Sequence, residues 1–299
     1  MARYMDIIYS DTFPLPLPEG HRFPAHKYWM LRERVHAAGL GRMLQPDPAS
    51  DAELLRVHQA AYIHKVRSGE VTDREMRRIG FPWSPQMVER SLRSSGATIA
   101  ACRAALRDGL AVSLAGGTHH AYADHGEGFC VFNDSAVAAR AVQAEGLASR
   151  VVVIDCDVHQ GNGTAAILAG DDTVFTFSIH GAKNYPFQKE RSDLDIGLED
   201  GAGDDAYLSV LEWGVHEAIE RSGADLAIYL AGADPHEGDR LGRLKLTKSG
   251  LLARDRLVLE SCRSTGIPVA ITMAGGYGRD IADSVDVHFN TVSLAASLA

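Results

Sequence analysis

The chain has 299 residues, 45% of them apolar, and a formal net charge of -9. That is enough for a sizeable core, since a chain of this size buries about 75% of the surface its unfolded form exposes. With no basic excess it is not built to hold a nucleic-acid backbone, and no apolar run approaches the ~18 residues of a membrane span. The first residues lack a charged stretch followed by an apolar one, so no signal peptide is read. Four cysteines, Cys102, Cys130, Cys156 and Cys262, are scattered with no CxxC pair. These features predict a reduced, cytoplasmic protein with no nucleic-acid or membrane partner, its thiols packed in the core.

In chain order, Met5–Tyr9 reads as an early strand and Phe13–Pro18, with three prolines in alternation, as an extended surface loop. Helical spacing is read over Pro24–Leu40 and again over Asp51–Val66, where His58 is a packed or hydrogen-bonded core histidine. After the aromatic loop Gly80–Ser84, Ser84 caps a helix that opens on Pro85 and runs to Asp108, stopping at Gly109. Leu110–Leu114 is a strand leading into Gly116-Gly117-Thr118-His119-His120. A Gly- and Phe-rich loop, Asp124–Phe132, follows, and Asp134 is expected to cap a helix to Glu145.

Val151–Ile154 is a buried parallel strand, after which Asp155, Asp157 and His159 recur at every second position and so share one face of an extended chain. Gly161 and Gly163 break the strand, and Thr164–Ala169 begins a helix. Thr173–Ile179 is the next strand, with His180 after it, and Gly181–Gly203 reads as one long loop. The remainder alternates: helix Asp204–Arg221, strand Leu226–Ala231 running into Asp234, helix Thr247–Ser264, strand Val269–Met273 running into Gly275-Gly276-Tyr277, helix Asp280–Leu298. Strand and helix in regular succession predict an α/β fold: one domain over residues 1–299, a central mostly parallel sheet with helices on both faces.

Five strands thus end in functional residue types: His119-His120, Asp155/Asp157/His159, Ser178/His180, Asp234 and Tyr277. In open parallel sheets ligands bind at the carboxyl ends of the strands, so the five describe one pocket. Asp157, His159 and Asp234 offer two oxygens and one nitrogen, leaving a fourth position for water as in catalytic zinc sites; iron(II) accepts the same donors. His119 and His120 can move protons, with Asp155 and Asn162 orienting them. Tyr277 can donate to a developing oxyanion. The set suits amide hydrolysis. His180 is read as structural, His236 as a possible rim residue and His125 as having no required role.

In these residues the chain resembles the histone deacetylase family of the arginase–deacetylase fold. The match is carried by Gly116–Ala121 (GGTHHA), Gly126–Asp134 (GEGFCVFND), Asp155–Gly163 (DCDVHQGNG), Ala231–Leu241 (AGADPHEGDRL) and Ala274–Gly278 (AGGYG), in the family's order over nearly the whole chain. Gln160 and the run Glu237–Gly242 look most like the class IV branch and bacterial histone deacetylase-like amidohydrolases. The resemblance implies that Asp157, His159 and Asp234 bind zinc, that Asp155 pairs with His119, that His120 is the general base and that Tyr277 polarises the scissile carbonyl. It implies a substrate tunnel walled by Phe129 and Tyr185, with Gly128 beside them and Gly276 near the floor. It also implies a structural potassium ion on main-chain oxygens of Asp155, Asp157, His159 and Ile179, plus Ser178. The implied substrate is an acyl-lysine in a protein or peptide, or a small acyl-amine such as an acetylpolyamine; an arginase-like ureohydrolase is the more distant reading, because this chain has D-x-D-x-H where D-x-H-x-D is expected. Two departures stand out: Asn162 replaces the aspartate of many relatives, and Gly80–Arg90 offers no acidic residue matching the one class I relatives use to clamp a substrate backbone.

Overall fold

The computed structural model describes residues 5–299. Eight strands form one sheet: β1 (Asp6–Ile8), β2 (Arg42–Leu44), β3 (Leu110–Ser113), β4 (Val151–Asp155), β5 (Val174–Gly181), β6 (Leu194–Leu198), β7 (Leu226–Leu230) and β8 (Val269–Thr272), in the order β2-β1-β3-β8-β7-β4-β5-β6. Every pairing is parallel, so the expectation of a mostly parallel sheet sharpens to a wholly parallel one. The physical reason is that each strand-to-strand connection crosses over through a helix or a long loop, never a tight hairpin. All carboxyl ends therefore lie along one edge.

Alternation along the strands feeds two cores. Val152 and Ile154 of β4 join Tyr229 and Ile271 on one face, while Val151 and Val153 join Ile228 and Ala270 on the other. The first face is covered by α1 (His26–Ala37), α8 (Asp204–Ser222), α9 (Lys248–Ser264) and α10 (Ile281–Leu298). The second is covered by α2 (Asp51–Leu54), α3 (Ala60–Ser68), α4 (Asp73–Ile79), α5 (Pro85–Asp108), α6 (Asp134–Ala144) and α7 (Asn162–Leu168). All four cysteines are buried and unpaired. No helix among the described residues is long and apolar enough to cross a membrane.

Several boundaries differ from the sequence reading. Asp51–Val66 is two helices, because His58 turns inward: its Nδ1 meets the Tyr122 carbonyl at 3.0 Å and its Nε2 accepts from Asn133 N at 3.0 Å. Residues 181–203 are not all loop; β6 adds the edge strand. Its alternating half-buried pattern is too short and polar to read as a strand. β2, paired to β1 and pinned by Arg42 on Asp6, is three residues long, too short to show a period. α4 is a further helix: Thr72 and Glu75 form its capping box and Gly80 closes it at φ +89°. Finally, Asn133, not Asp134, caps α6. Asp134 is withdrawn from capping because its carboxylate accepts from Gly117 N (2.9 Å), Thr118 N (2.7 Å) and Thr98 Oγ1 (2.6 Å), and so holds the loop that presents the two histidines.

Beneath the active edge lies a buried strut. Arg254 on α9, wholly buried, donates to the Gly232 carbonyl after β7 and pairs with Asp255, which also accepts from Tyr229 and Thr291. A charge buried there is tolerated because Asp255 neutralises it and the Gly232 carbonyl accepts from it.

Candidate active site

The carboxyl ends of β4 and β7 bring Asp157, His159 and Asp234 together, with one donor atom from each lying within 4.8 Å of the others. All three are buried. The carboxylates are held from behind: Asp157 Oδ2 accepts from Gly275 N (2.8 Å), Asp157 Oδ1 from His159 N (2.9 Å) and Asp234 Oδ1 from Val158 N (2.9 Å). Asp234 Oδ2 keeps no hydrogen-bond partner among the described residues and stands 3.3 Å from His159 Nδ1, a buried oxygen facing the cluster. Glycine is required at 275 for space, since a Cβ there would stand 1.9 Å from Asp234 Oδ2.

The electrostatics ask for a cation. Burial opposes charge on His159, yet Asp157 and Asp234 push its pKa up to about 10. Burial and then the charge of Asp157 push Asp234 up to about 7. Two carboxylates and an imidazole, one oxygen unpartnered, are a fitting donor set for a divalent metal.

The histidine pair sits beside this cluster with ring centroids 4.1 Å apart. His119 Nδ1 lies 2.6 Å from Asp155 Oδ2, and against the penalty of burial Asp155 and Asp157 push its pKa up to about 9. His120 goes the other way: burial, then the neighbouring imidazoles His119 and His159, hold it well below the usual histidine range. Its Nδ1 lies 2.6 Å from Asn162 Oδ1. Asn162 Nδ2 in turn donates to Glu127 Oε1 at 2.7 Å, and Tyr185 Oη donates to that same oxygen at 2.8 Å. A carboxylate only accepts, so Glu127 fixes which way the Asn162 amide points. Asn162 Oδ1 then accepts from His120 Nδ1–H, and the Nε2 lone pair is left free.

Glu127 and Arg78, which ion-pairs with it at 2.8 Å, are the functional residues that sequence reasoning missed. Glu127 stands inside the stretch Gly126–Asp134, but nothing in a Gly-Glu-Gly string says that the carboxylate turns inward.

The channel is built from α4 and the following loop. Gly128 N and Phe129 N donate to the carbonyls of Arg78 and Ile79 at the end of α4. Gly128 has φ +57° and its Cβ would stand 2.6 Å from the His120 ring. Phe129 itself holds φ +66°, which costs on the order of 1 kcal/mol and aims its ring into the channel. Tyr185 faces it from the other wall, 5.0 Å from His120 and nearly perpendicular at 85°. An outer groove and an inner cavity meet at His120, Gly128, Phe129, His159 and Tyr277.

Tyr277 is held by its backbone: N donates to Asp239 Oδ2 (2.6 Å) and O accepts from Arg240 Nε (3.0 Å). Buried Lys27 of α1 donates to the carbonyls of Ala274 and Gly276 at 3.3 and 3.2 Å and lies 5.5 Å from the Tyr277 ring. Gly276, expected near the floor, sits between Gly275 and Tyr277, which line the cavity. Its free side, at φ +147°, faces Ala233, His288 and Lys27. The loop must turn there so that Tyr277 points inward.

At the expected monovalent-cation position, Ser178 is the register partner of Asp155, and Ile179 follows it. Ser178 Oγ lies 3.0 Å from His180 Nδ1, in keeping with a structural His180. The carbonyl oxygens of Asp157 and His159 accept no hydrogen bond among the described residues. His236, buried, accepts from Gly238 N, and His125 pairs with Asp124.

Comparison with known proteins gives the family and the fold. The histone deacetylase domain profile matches residues 21–292. Histone deacetylase 2 of Arabidopsis thaliana is 31% identical over 301 residues, covering 94% of this chain and 78% of that protein. A histone deacetylase-like amidohydrolase of Pseudomonas aeruginosa is 32% identical over 283 residues, covering 88% of this chain and 74% of that protein. Among solved structures, an HDAC homolog complexed with SAHA superposes with a TM-score of 0.84 at 22% identity, covering 99% of this chain and 84% of that one, which speaks for the fold. The chain belongs to the histone deacetylase family and is a hydrolase of the deacetylase type.

Proposed function

We propose that this chain hydrolyses the amide bond of an acylated lysine, with its whole length acting as one catalytic domain. The observation that carries the reading is the meeting, at the end of one narrow channel, of the Asp157–His159–Asp234 cluster, the free Nε2 of His120 and the ring of Tyr277. Zinc, or iron(II), held by the three ligands would supply the charge that acidifies a water and polarises the amide carbonyl. His120 takes the proton of the attacking water at Nε2, and the histidine pair returns a proton to the leaving amine. Asp155 orients His119 through Nδ1. The Tyr277 hydroxyl, which takes no hydrogen bond from the protein among the described residues, donates to the oxyanion. Phe129 and Tyr185 grip the aliphatic part of the acyl-lysine. Free carbonyls at Asp157 and His159 favour a potassium ion behind the cluster, with Ser178, Ile179 and Asp155 completing it.

An arginase-like reaction needs a second, carboxylate-bridged metal. Here Asp155 is committed to His119, and the other candidate grouping, His216, Glu217 and Glu220, lies on α8 away from the site. The test is release of free amine from an acetyl-lysine peptide with and without a chelator. Turnover that the chelator abolishes and zinc or iron(II) restores is expected; equal rates in both would overturn the reading. The SAHA bound by the structural neighbour is expected to compete with the peptide.

A further inference from the structure

We infer that the acyl-lysine this site takes is set among acidic residues: the substrate is a peptide segment with Asp or Glu flanking the acylated lysine. The inference rests on the acyl-lysine reading above and adds the substrate class. Its ground is the outer groove, the surface a substrate must cross before its side chain enters the channel. In a chain of net charge -9, that groove is lined by Arg22, Arg77, Arg78, Lys183 and Arg243 and, among the described residues, by no Asp or Glu.

Three of these cations are already paired: Arg78 with Glu127 at 2.8 Å, Lys183 with Glu199 at 2.8 Å, Arg243 with Asp200 at 3.2 Å. Arg22 and Arg77 are exposed and form no ion pair among the described residues. Asp73, one turn before Arg77 on α4, makes none with it. Arg240 adds a further cation at the rim, its Nη2 reaching the Arg22 carbonyl at 3.4 Å. With three of the cations offset by neighbouring carboxylates, Arg22 and Arg77 leave the groove an excess of positive charge. A groove of one sign focuses the field and selects the opposite charge.

The acylated amide is itself neutral, so the groove can discriminate only through what flanks it. A cationic acyl-amine such as an acetylpolyamine meets repulsion at the same entrance. Attraction at an exposed rim acts on capture, so the effect belongs in KM more than in kcat and weakens with salt.

The test uses the metal-loaded enzyme and three peptides that differ only in the residues around one acetyl-lysine: Glu, Gln or Lys. Acetylspermidine is the fourth substrate. At about 20 mM salt kcat/KM is expected to fall from Glu to Gln to Lys, with about tenfold between the extremes, the size that two exposed ion pairs give together. At about 500 mM salt, where the Debye length is roughly 4 Å, the ratio is expected to shrink to within about twofold. Arg22→Gln combined with Arg77→Gln is expected to bring the low-salt ratio close to one. Arg263→Gln, at the opposite edge of the sheet, is expected to leave it in place. A wild-type ratio of one or below, a ratio that survives the double substitution, or acetylspermidine turned over faster than the Glu-flanked peptide overturns the inference. Failure to hydrolyse any of the three peptides instead overturns the acyl-lysine reading itself.

Discussion

The floor of the site and its mouth are made in opposite ways. The floor is acidic, buried and built from strand ends: Asp155, Asp157 and Asp234 are at most 3% exposed and each is held by hydrogen bonds from fixed donors. The mouth is basic, exposed and built from a short helix and loops, with Phe187 on its rim 85% exposed. The difference teaches where each kind of work is done. Buried charges in low dielectric interact strongly and cannot move, which suits chemistry. Exposed charges interact weakly and change with salt, which suits selection among substrates.

Changes at the floor should therefore abolish turnover, and changes at the mouth should only re-rank substrates. The largest effect is expected from Asp234→Asn: bound metal falls below stoichiometric by elemental analysis and deacetylation drops by about a thousandfold or more, because one anionic member of the proposed ligand set is lost. Normal metal content and activity would break the comparison at its base. Next is Tyr277→Phe, which keeps the ring but removes the proposed oxyanion donor; kcat is expected to fall about 100- to 1000-fold with metal content unchanged.

Glu127→Gln tests the junction of the two regions, since that carboxylate touches Asn162 on the floor side and Arg78 on the mouth side. A glutamine can donate as well as accept, so it no longer dictates the Asn162 amide. About a tenfold loss in kcat is expected. Loss of a negative charge behind Asn162 also stabilises an imidazolium at His120 less, so the acid limb of the pH–rate profile should move to lower pH. An unshifted limb would mean that Glu127 only braces the wall through Tyr185.

The smallest effect lies outside both regions, and it is on stability. Burial pushes His58 down to about 4 from an ordinary value of 6.5. Between those values the unfolded chain binds a proton that the folded chain refuses, so stability is full above about pH 6.5 and falls as the pH drops toward 4, by about 3 kcal/mol at most. Urea midpoints at pH 7 and 4.5 should converge for His58→Gln relative to wild type; an equal acid loss in both would assign it elsewhere.

How much of this could be read from the sequence differs between floor and mouth in the same sense. Val151–Ile154 followed by Asp155, Asp157 and His159 is legible because burial and alternation are local properties, and a parallel sheet forces every strand's carboxyl end to one edge. The floor residues and their convergence follow from that alone. The boundaries of α2 and α3 do not, because His58 leaves the helix for partners at Tyr122 and Asn133, far along the chain. Nor does the cap of α6, where Asp134 is drawn off by Gly117 and Thr118. The inward turn of Glu127, the service of Gly275 rather than Gly276 at the cavity wall, and the gathering of Arg22, Arg77 and Arg243 around one groove were decided only in the tertiary structure. Each depends on where segments remote in sequence come to rest, and a side chain's direction is set by what packs against it, which no local pattern encodes.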